Sequence, residues 1–461
     1  MIKKLLFFAV VVLISKSITA QVWTQQNTNF TDLSTAIGVD QVSVVDENIV
    51  WVRGSNGSSS GGALKVFSRT NDGGTTWTAG HFTQLGADEW TYVLAASSYD
   101  KAYVVVMDSL DDGTSFWGTA DGGTTWVQKT SMFNEAGSFV DGVRFWDAQN
   151  GFSYGDPTGG MYEIYTTADG GTTWTRNQAA PTPVPASEYG LNGFECSATV
   201  PGGVAFIISD HGRVFKTPDY GTTWSVLPTA PFASAAYGSV KVYASSENYI
   251  ICAAYTTATT TWSWKYTTNG GTSWSTYTPT GPFYEYAMCY VPGSVNTFVA
   301  TSPYTALSGV AYSTDGGLSF TDYIDPLLQV NTANVQCLGV GYATPQTGWV
   351  GNYDINGTIN SILKYYDPSV GINVFNTVNG NDVNIYPNPS NGIVNFSVNG
   401  PNNDDISIKV YDVVGQLIFS ENMNVNSLQN TSYNFSSYAK GLYMVQILSG
   451  KDLTTQKFVI Q

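Results

Sequence analysis

The sequence is poor in charged residues, in histidine and in cysteine. Only 12% of its residues are charged, and its 461 residues include two histidines and four cysteines. The cysteines show no paired spacing, so neither a disulfide framework nor a metal site is indicated. Acidic residues outnumber basic ones by 35 to 19, and an acidic surface repels phosphate backbones. We therefore expect no metal cofactor and no nucleic-acid partner.

Long apolar runs are also absent after the first twenty residues. Residues 1–20 combine Lys3 and Lys4, an apolar run over 5–14 and a small-residue end at Ala20. This order is typical of a cleaved export signal, and the run is too short to span a bilayer. We therefore expect an exported protein that does not cross the membrane.

What the sequence does contain is a repeated eight-residue motif. Its six copies begin 46 to 50 residues apart. They read TNDGGTTW (70–77), TADGGTTW (119–126 and 167–174), TPDYGTTW (217–224), TTNGGTSW (267–274) and STDGGLSF (313–320). A period near 48 among strand-like segments is typical of a β-propeller with one blade per repeat. A further strand pair near 338–351 lacks the motif, and residues 22–30 could supply the outer strand of the blade that it forms. We therefore predict seven blades over 21–368, with six as the alternative.

The chemistry of the motif favours a structural role. Paired glycines accept positive φ in a tight hairpin, and a short carboxylate can pin the turn by accepting bonds from nearby N–H and hydroxyl groups. The closing aromatic can pack between neighbouring sheets. The predicted turn residues are Asp72, Asp121, Asp169, Asp219, Asn269 and Asp315, and the predicted packing residues are Trp77, Trp126, Trp174, Trp224, Trp274 and Phe320.

This motif resembles the Asp-box repeat of bacterial neuraminidases, and the strand segments also resemble those of photosystem II assembly factors. The resemblance covers roughly residues 21–368 and implies a propeller, but both enzymes and non-catalytic proteins share that fold. A sialidase would need several arginines around its substrate carboxylate, and no Arg-Ile-Pro start motif is present. The arginines of this region are Arg53, Arg69, Arg144, Arg176 and Arg213.

One face of the predicted ring carries most of the long loops. With strands A to D counted from the axis, the motif hairpins share a face with the A–B turns, whereas the opposite face carries the B–C turns and the D–A crossovers. We call this opposite side the crossover face. Three acid–aromatic pairs fall there, each expected just before an inner strand: Glu89-Trp90, Glu188-Tyr189 and Glu285-Tyr286. Rings that stack on sugars beside carboxylates suit glycan binding. Alternatively, the aromatics cap the channel and the glutamates are solvated.

Two further chemistries remain open on the crossover face. A glycoside hydrolase would need two carboxylates at a fixed separation, for which the available acids are Glu89, Asp156, Glu188 and Glu285. A calcium ion could bind the segment DSLDDG, which contains Asp108, Asp111 and Asp112 but lacks the twelve-residue calcium-loop pattern. Nothing in the sequence pairs the candidate acids, so we assign neither a catalytic residue nor a cofactor.

The end of the chain has a different pattern. Residues 369–382 are polar and rich in Gly and Asn, as expected for a linker, and 383–461 alternate apolar residues between turns like a small immunoglobulin-like β-sandwich. This segment resembles the type A C-terminal sorting domain of type IX secretion. The matching residues are Pro387, Gly415, Gly441, Tyr443 and Lys457. The resemblance implies the type IX machinery as a partner and delivery through the periplasm to the cell surface or the medium.

The sequence therefore predicts an all-β, exported propeller that binds a glycan or a protein without catalysis. The alternative is a propeller glycoside hydrolase.

Overall fold

The chain divides into two compact units, Met1–Tyr366 and Asp367–Gln461. The computed structural model describes residues 23–30, 37–56, 63–110, 113–190, 193–233, 236–302, 309–323, 335–354, 361–366, 376–378, 381–386, 390, 392–399, 404–412, 415–425, 429–449 and 452–460. The expected export signal lies outside these residues. Within them the only helical element is a 3-10 turn at Phe194–Cys196, and no helix is long and apolar enough to cross a membrane.

The described residues of the first unit form 28 strands. Its first half comprises β1 Trp23–Asn27, β2 Ile37–Val44, β3 Val50–Asn56, β4 Ala63–Thr70, β5 Thr78–His81, β6 Glu89–Ala96, β7 Ala102–Asp108, β8 Thr114–Thr119, β9 Val127–Gln128, β10 Val140–Phe145, β11 Gly151–Thr158, β12 Met161–Thr167, β13 Thr175–Arg176 and β14 Ser197–Val200. Its second half comprises β15 Val204–Ile208, β16 Val214–Thr217, β17 Ser225–Val226, β18 Ser239–Ala244, β19 Ile250–Thr256, β20 Thr261–Thr267, β21 Ser275–Tyr277, β22 Ala287–Tyr290, β23 Phe298–Ser302, β24 Gly309–Ser313, β25 Thr321–Asp322, β26 Val335–Thr344, β27 Thr347–Asp354 and β28 Ser361–Tyr366.

These strands form seven four-stranded antiparallel sheets. Six sheets use consecutive strands, from β2–β5 to β22–β25, and the seventh has the order β1-β28-β27-β26. The inner strands β2, β6, β10, β14, β18, β22 and β26 each contact the next, and β26 contacts β2. This closed ring confirms the predicted seven-bladed propeller.

The last blade is completed by the first strand of the chain. β1 lies antiparallel to β28, with Trp23 opposite Tyr365 and Asn27 opposite Ser361. The Trp23 ring is fully buried and lies 5.1 Å from the Tyr365 ring. Because β1 and β28 come from opposite ends of the unit and share one sheet, detaching either strand would disrupt the blade that closes the ring.

The closing aromatic of each motif lies against the blade that precedes its own. Trp126 of the second blade is 2% exposed and packs on Phe67 and Phe82 of the first, with ring centroids 5.7 and 4.7 Å apart. Trp77 lies in a core cluster with Trp349 of the seventh blade. Burying one Trp removes about 150–250 Å² from water, or about 4–6 kcal/mol before entropy. These rings therefore join the blades to one another.

The motif turns share one hydrogen-bond pattern. Asp121 Oδ1 accepts bonds from Thr119 Oγ1 and Thr125 N, both at 2.9 Å, and Oδ2 accepts one from Thr125 Oγ1 at 2.7 Å. These bonds to Thr125 lower the pKa of the Asp121 carboxyl. At the amide variant Asn269, Nδ2 instead donates to Ser273 Oγ. Corresponding bonds form at the other aspartates of the set, Asp72, Asp169, Asp219 and Asp315.

The second unit is a two-sheet β-sandwich, as predicted. The sheets have the orders β29-β30-β31-β34 and β33-β32-β35-β36. Their core includes Phe396, Ile408 and Phe458. The first strand lies inside the interval expected to be a linker (369–382), because it pairs with β30 through Asn376 and Val383. The strands are β29 Asn376–Val378, β30 Asn381–Tyr386, β31 Ile393–Asn399, β32 Asp404–Tyr411, β33 Leu417–Val425, β34 Gln429–Asn434, β35 Gly441–Ser449 and β36 Asp452–Ile460.

Candidate ligand-binding site

The propeller axis contains a cavity that opens at the crossover face. It measures about 410 Å³ and lies between the first residues of the inner strands. A second cavity of about 330 Å³ lies towards the opposite face, and Phe194 and Met288 line both. We call the first the axial cavity. Its polar and aromatic walls include Asp40, Arg53, Tyr92, Glu195, Lys241 and Tyr286.

The charges on these walls are paired within the protein. Arg53 Nη2 lies 2.6 Å from Asp40 Oδ2, and Lys241 Nζ lies 2.6 Å from Glu195 Oε2. Burial alone would lower the pKa of the Arg53 guanidinium, but the charge and hydrogen bond of Asp40 outweigh it and raise that pKa. Lys241 also donates to the backbone carbonyls of Glu285 and Tyr286 at 2.8 Å. Arg53 Nη1 also donates to the carbonyl of Thr91 in the next blade at 2.9 Å, so both cations hold neighbouring blades together.

Three aspartates form a group beside the axial cavity, which we call the acidic cluster. Asp141 lies at the start of β10, Asp156 near the end of β11, and Asp210 in the turn after β15. Besides burial, the charges of Asp156 and Asp210 raise the pKa of Asp141, and the charge of Asp210 raises the pKa of Asp156. The loop above them is fixed by Tyr189 N, which donates to Asp210 Oδ1 at 3.0 Å, and by Gly190 N, which donates to Asp156 Oδ1 at 2.8 Å. The cluster therefore anchors the crossover between the third and fourth blades.

Two oxygens of this cluster are buried without a hydrogen bond. Oδ2 of Asp141 and Oδ2 of Asp210 accept none from the described residues, although the two side chains are 1% and 0% exposed. Gly190 covers Asp141 so closely that a Cβ at this position would lie 1.8 Å from Oδ2. His211 Nδ1 lies 2.7 Å from Asp210 Oδ1.

Burial changes the acidity of the cluster. It raises the pKa of Asp141 well above its usual range, and the charges of Asp156 and Asp210 add to the effect. Burial also raises the pKa of Asp156 to about 6, against the opposing bond from Gly190 N and with a contribution from Asp210. Displaced pKa values of this kind are common at functional sites. The cluster favours protons, cations or hydroxyl donors.

β-bulges place several of these side chains. The pairing register shifts at Asp40, Tyr92 and Asp141 in the inner strands of the first three blades, and at Asp156 in β11. A bulge leaves one residue out of the ladder and turns its side chain, and bulges often border functional sites. Sequence analysis missed Asp141, Asp210 and His211, because no residue pattern marks the bulge or the turn that brings them together.

The predicted aromatic residues are not brought together. Tyr286 lines the axial cavity, and Tyr189 is 43% exposed above the acidic cluster. Trp90 is half-buried in β6 and lines neither cavity. The expectation that each pair directly precedes an inner strand is met only by Glu285-Tyr286, which comes just before β22. Glu89 and Trp90 are the first two residues of β6, and the 3-10 turn at Phe194–Cys196 lies between Glu188-Tyr189 and β14.

The four candidate acids differ in availability. Glu188 is 2% exposed, so it is not a solvated residue. It accepts bonds from Ser209 Oγ, Val184 N and Arg213 Nη1. Glu89 Oε2 accepts a bond from Gly86 N at 2.6 Å, and Glu285 is exposed. Only Asp156 belongs to the acidic cluster.

The suggested calcium segment is only partly described. Asp108 Oδ1 accepts a bond from Leu110 N at 2.8 Å, whereas Asp111 and Asp112 lie outside the described residues. Among the residues that the structure describes, no group of three or more His, Cys, Asp or Glu side chains is arranged to hold a metal ion.

The signature residues of the second unit lie at turns and in its last strands. Gly415 has φ +85° in a turn closed by its N–H and Asp412 O, and Gly441 has φ +149° at the start of β35. Tyr443 is buried, and Lys457 is exposed in β36. Pro387 lies outside the described residues. Residues 384–461 match the family model of the secretion system C-terminal sorting domain.

This second unit is a type IX sorting domain. The domain marks the chain for export by the type IX secretion machinery to the cell surface or the medium. The matched segment covers only the end of the chain, so it carries no information about what the propeller binds. No curated protein sequence matches the chain.

Several solved structures are similar to the chain at low identity. YCF48 from Cyanidioschyzon merolae is 16% identical with a TM-score of 0.47, over 75% of this chain and 99% of that one. PorZ, a surface component of the type IX secretion system of Porphyromonas gingivalis, is 14% identical with a TM-score of 0.43, over 91% of this chain and 59% of that one. A mutant Trypanosoma rangeli sialidase is 9% identical with a TM-score of 0.37, over 95% and 88%.

Proposed function

We propose that the protein is an exported, non-catalytic binding protein that takes a glycan ligand at the crossover face of its propeller. The observation that carries this proposal is the axial cavity of about 410 Å³. Ligand sites are typically concave, largely apolar and of this size, with a few polar groups that orient the ligand. Tyr92 and Tyr286 line this cavity and supply rings for stacking.

The chain organisation belongs to the same proposal. Residues 1–20 would direct the chain to the periplasm, 21–368 would form the propeller, and the sorting domain over 383–461 would carry it across the outer membrane. The segment 369–382 would then be the region in which the tail is removed. Mature protein collected outside the cell should end within or near this segment, as mass spectrometry of its C-terminus can establish.

A glycan array with the full chain tests the binding role, with affinities of the hits measured by calorimetry. Tyr286→Ala should weaken binding about tenfold or more, which corresponds to about 1.4 kcal/mol, because a stacking ring is lost. Tyr220→Ala is the matched control, since Tyr220 lies in a motif turn on the opposite face and is 38% exposed. Equal losses in the two variants, or no glycan bound by the folded chain, would contradict the proposal.

Glycoside hydrolysis is the second candidate function. The observation that favours it is Asp156, whose pKa is raised to about 6 beside the second carboxylate of Asp210. Two neighbouring carboxylates supply the acid and the base of such enzymes. Each glycan that binds should therefore be incubated with the protein and its reducing ends counted. A general acid contributes about 10²–10⁴-fold, so turnover that survives Asp156→Asn would exclude this mechanism.

A further inference from the structure

In the part of the chain that the structure describes, the acidic cluster has no lysine or arginine partner. Among the described residues, no Lys or Arg forms an ion pair with Asp141, Asp156 or Asp210. The cations of this face are committed elsewhere, since Arg213 pairs with Glu188 and Lys241 with Glu195. His211 is the one basic side chain in contact, through Asp210. A buried carboxylate without a partner is unfavourable, so the cluster is a place where an external cation would be stabilised.

The two unpartnered oxygens show which kind of group is missing. Oδ2 of Asp141 and Oδ2 of Asp210 are buried acceptors to which no described residue donates. Buried polar atoms in folded proteins are nearly always hydrogen-bonded, and each exception calls for an explanation. A group that brings both positive charge and several N–H donors would satisfy both needs. The half-buried Asp156 and the exposed ring of Tyr189 mark the side on which such a group could enter.

An ammonium group fits these observations better than a metal ion. Divalent metals need several oxygens converging at about 2.0–2.6 Å, and the described side chains form no such arrangement. A primary ammonium has three donors and accepts longer contacts of about 2.7–2.9 Å to carboxylates. The Tyr189 ring can also attract an organic cation through its π face.

We propose that the acidic cluster is a binding site for a protonated primary amine carried by a ligand. Asp156 is its outer contact, Asp141 and Asp210 supply the buried unpartnered oxygens, and Tyr189 borders the entrance. An amino sugar and a lysine side chain share this chemistry. The site is separate from the glycan contact at Tyr286, so it does not depend on what the axial cavity binds.

Calorimetry on the full chain at neutral pH tests the site with two matched probe pairs. Glucosamine is compared with N-acetylglucosamine, and Nα-acetyl-lysine amide with its Nε-acetylated form. We expect at least one amine to bind and its acetylated partner to bind at least tenfold more weakly. The amine that binds identifies the source, and both probe pairs are measured on the unmutated protein, so no folding defect can account for the result.

Variants then locate the site. Asp156→Asn and Asp210→Asn should each weaken binding of that amine at least tenfold. Asp100→Asn should not, because its side chain is 66% exposed in an A–B turn on the opposite face. Tyr286→Ala should leave amine binding unchanged even if it abolishes glycan binding.

Four outcomes would overturn the proposal. The first is that neither amine binds, and the second is that the acetylated probes bind as well as the amines. The third is that calcium chloride binds at the cluster and the amines do not compete with it, which would make the cluster a metal site. Equal losses in Asp210→Asn and Asp100→Asn would place the amine elsewhere and count against the cluster as well.

Discussion

Replacement of the Asp169 carboxylate tests the role of the motif turns most directly. Its oxygens accept bonds from Thr167 Oγ1 at 2.8 Å, Thr173 N at 2.9 Å and Thr173 Oγ1 at 2.7 Å. Asp169→Ala removes both acceptor oxygens and with them these three bonds, and each net hydrogen bond contributes about 0.5–1.5 kcal/mol. Because the side chain is half-exposed, water replaces part of the loss, and we expect a decrease of about 1–3 kcal/mol in the free energy of unfolding.

The conservative variant Asp169→Asn should cost less than half as much. Asn269 occupies the same position in the fifth blade, where Oδ1 accepts from Thr267 Oγ1 and Ser273 N and Nδ2 donates to Ser273 Oγ. Urea unfolding followed by tryptophan fluorescence measures both variants. Burial alone would raise the pKa of the Asp169 carboxyl, but the bonds from Thr173 outweigh it and lower that pKa. The contribution of Asp169 to the free energy of unfolding should therefore be full above about pH 4 and be lost as the pH falls further.

The interpretation of the motif as a structural turn would be refuted by one combination of results. If Asp169→Ala unfolds at the same urea concentration as the unmutated chain but no longer binds its ligand, the carboxylate belongs to a site rather than to a turn. A loss of stability with unchanged ligand affinity supports the structural role.

We make three further predictions, on a motif glycine, on Asp156 and on the sorting domain. Gly123→Ala should lower the unfolding temperature much more than Gly137→Ala. Both residues have positive φ (+83° and +86°), but only at Gly123 would the added Cβ meet a neighbour, Phe67, at 2.1 Å. Equal shifts of the unfolding temperature in calorimetry would contradict this. Asp156→Asn should stabilise the chain by about 1–3 kcal/mol above pH 6 and not below pH 4. The pKa of this carboxyl rises from 3.8 to about 6 on folding, so the unmutated chain loses stability as the pH rises between these values. Urea unfolding at both pH values measures the difference. Deletion of 383–461 should hold the protein in the periplasm in cell fractionation, and undiminished export would contradict it.

Much of the architecture could be predicted from the sequence because its determinants are local. The motif combines turn chemistry at Asp121 and Gly123 with a closing aromatic at Trp126, and each acts within eight residues. The near-constant period then gives the number of blades, and the short segment before the first repeat completes the seventh sheet through Trp23. The sorting domain could be identified for the same reason, from short turn and strand patterns in a fixed order.

The candidate site could not be predicted in the same way. Asp141, Asp156 and Asp210 lie on three different elements of two blades, and β-bulges, which no residue pattern marks, turn the first two out of their ladders. The sequence alone suggested Glu188 as an available acid, but its burial and its pairing with Arg213 depend on the path of the crossover loop. Turn and strand identity were determined by neighbours in the chain. Burial, charge pairing and the grouping of three carboxylates were decided only when the ring closed and brought distant segments together, because these depend on distances through space rather than along the chain.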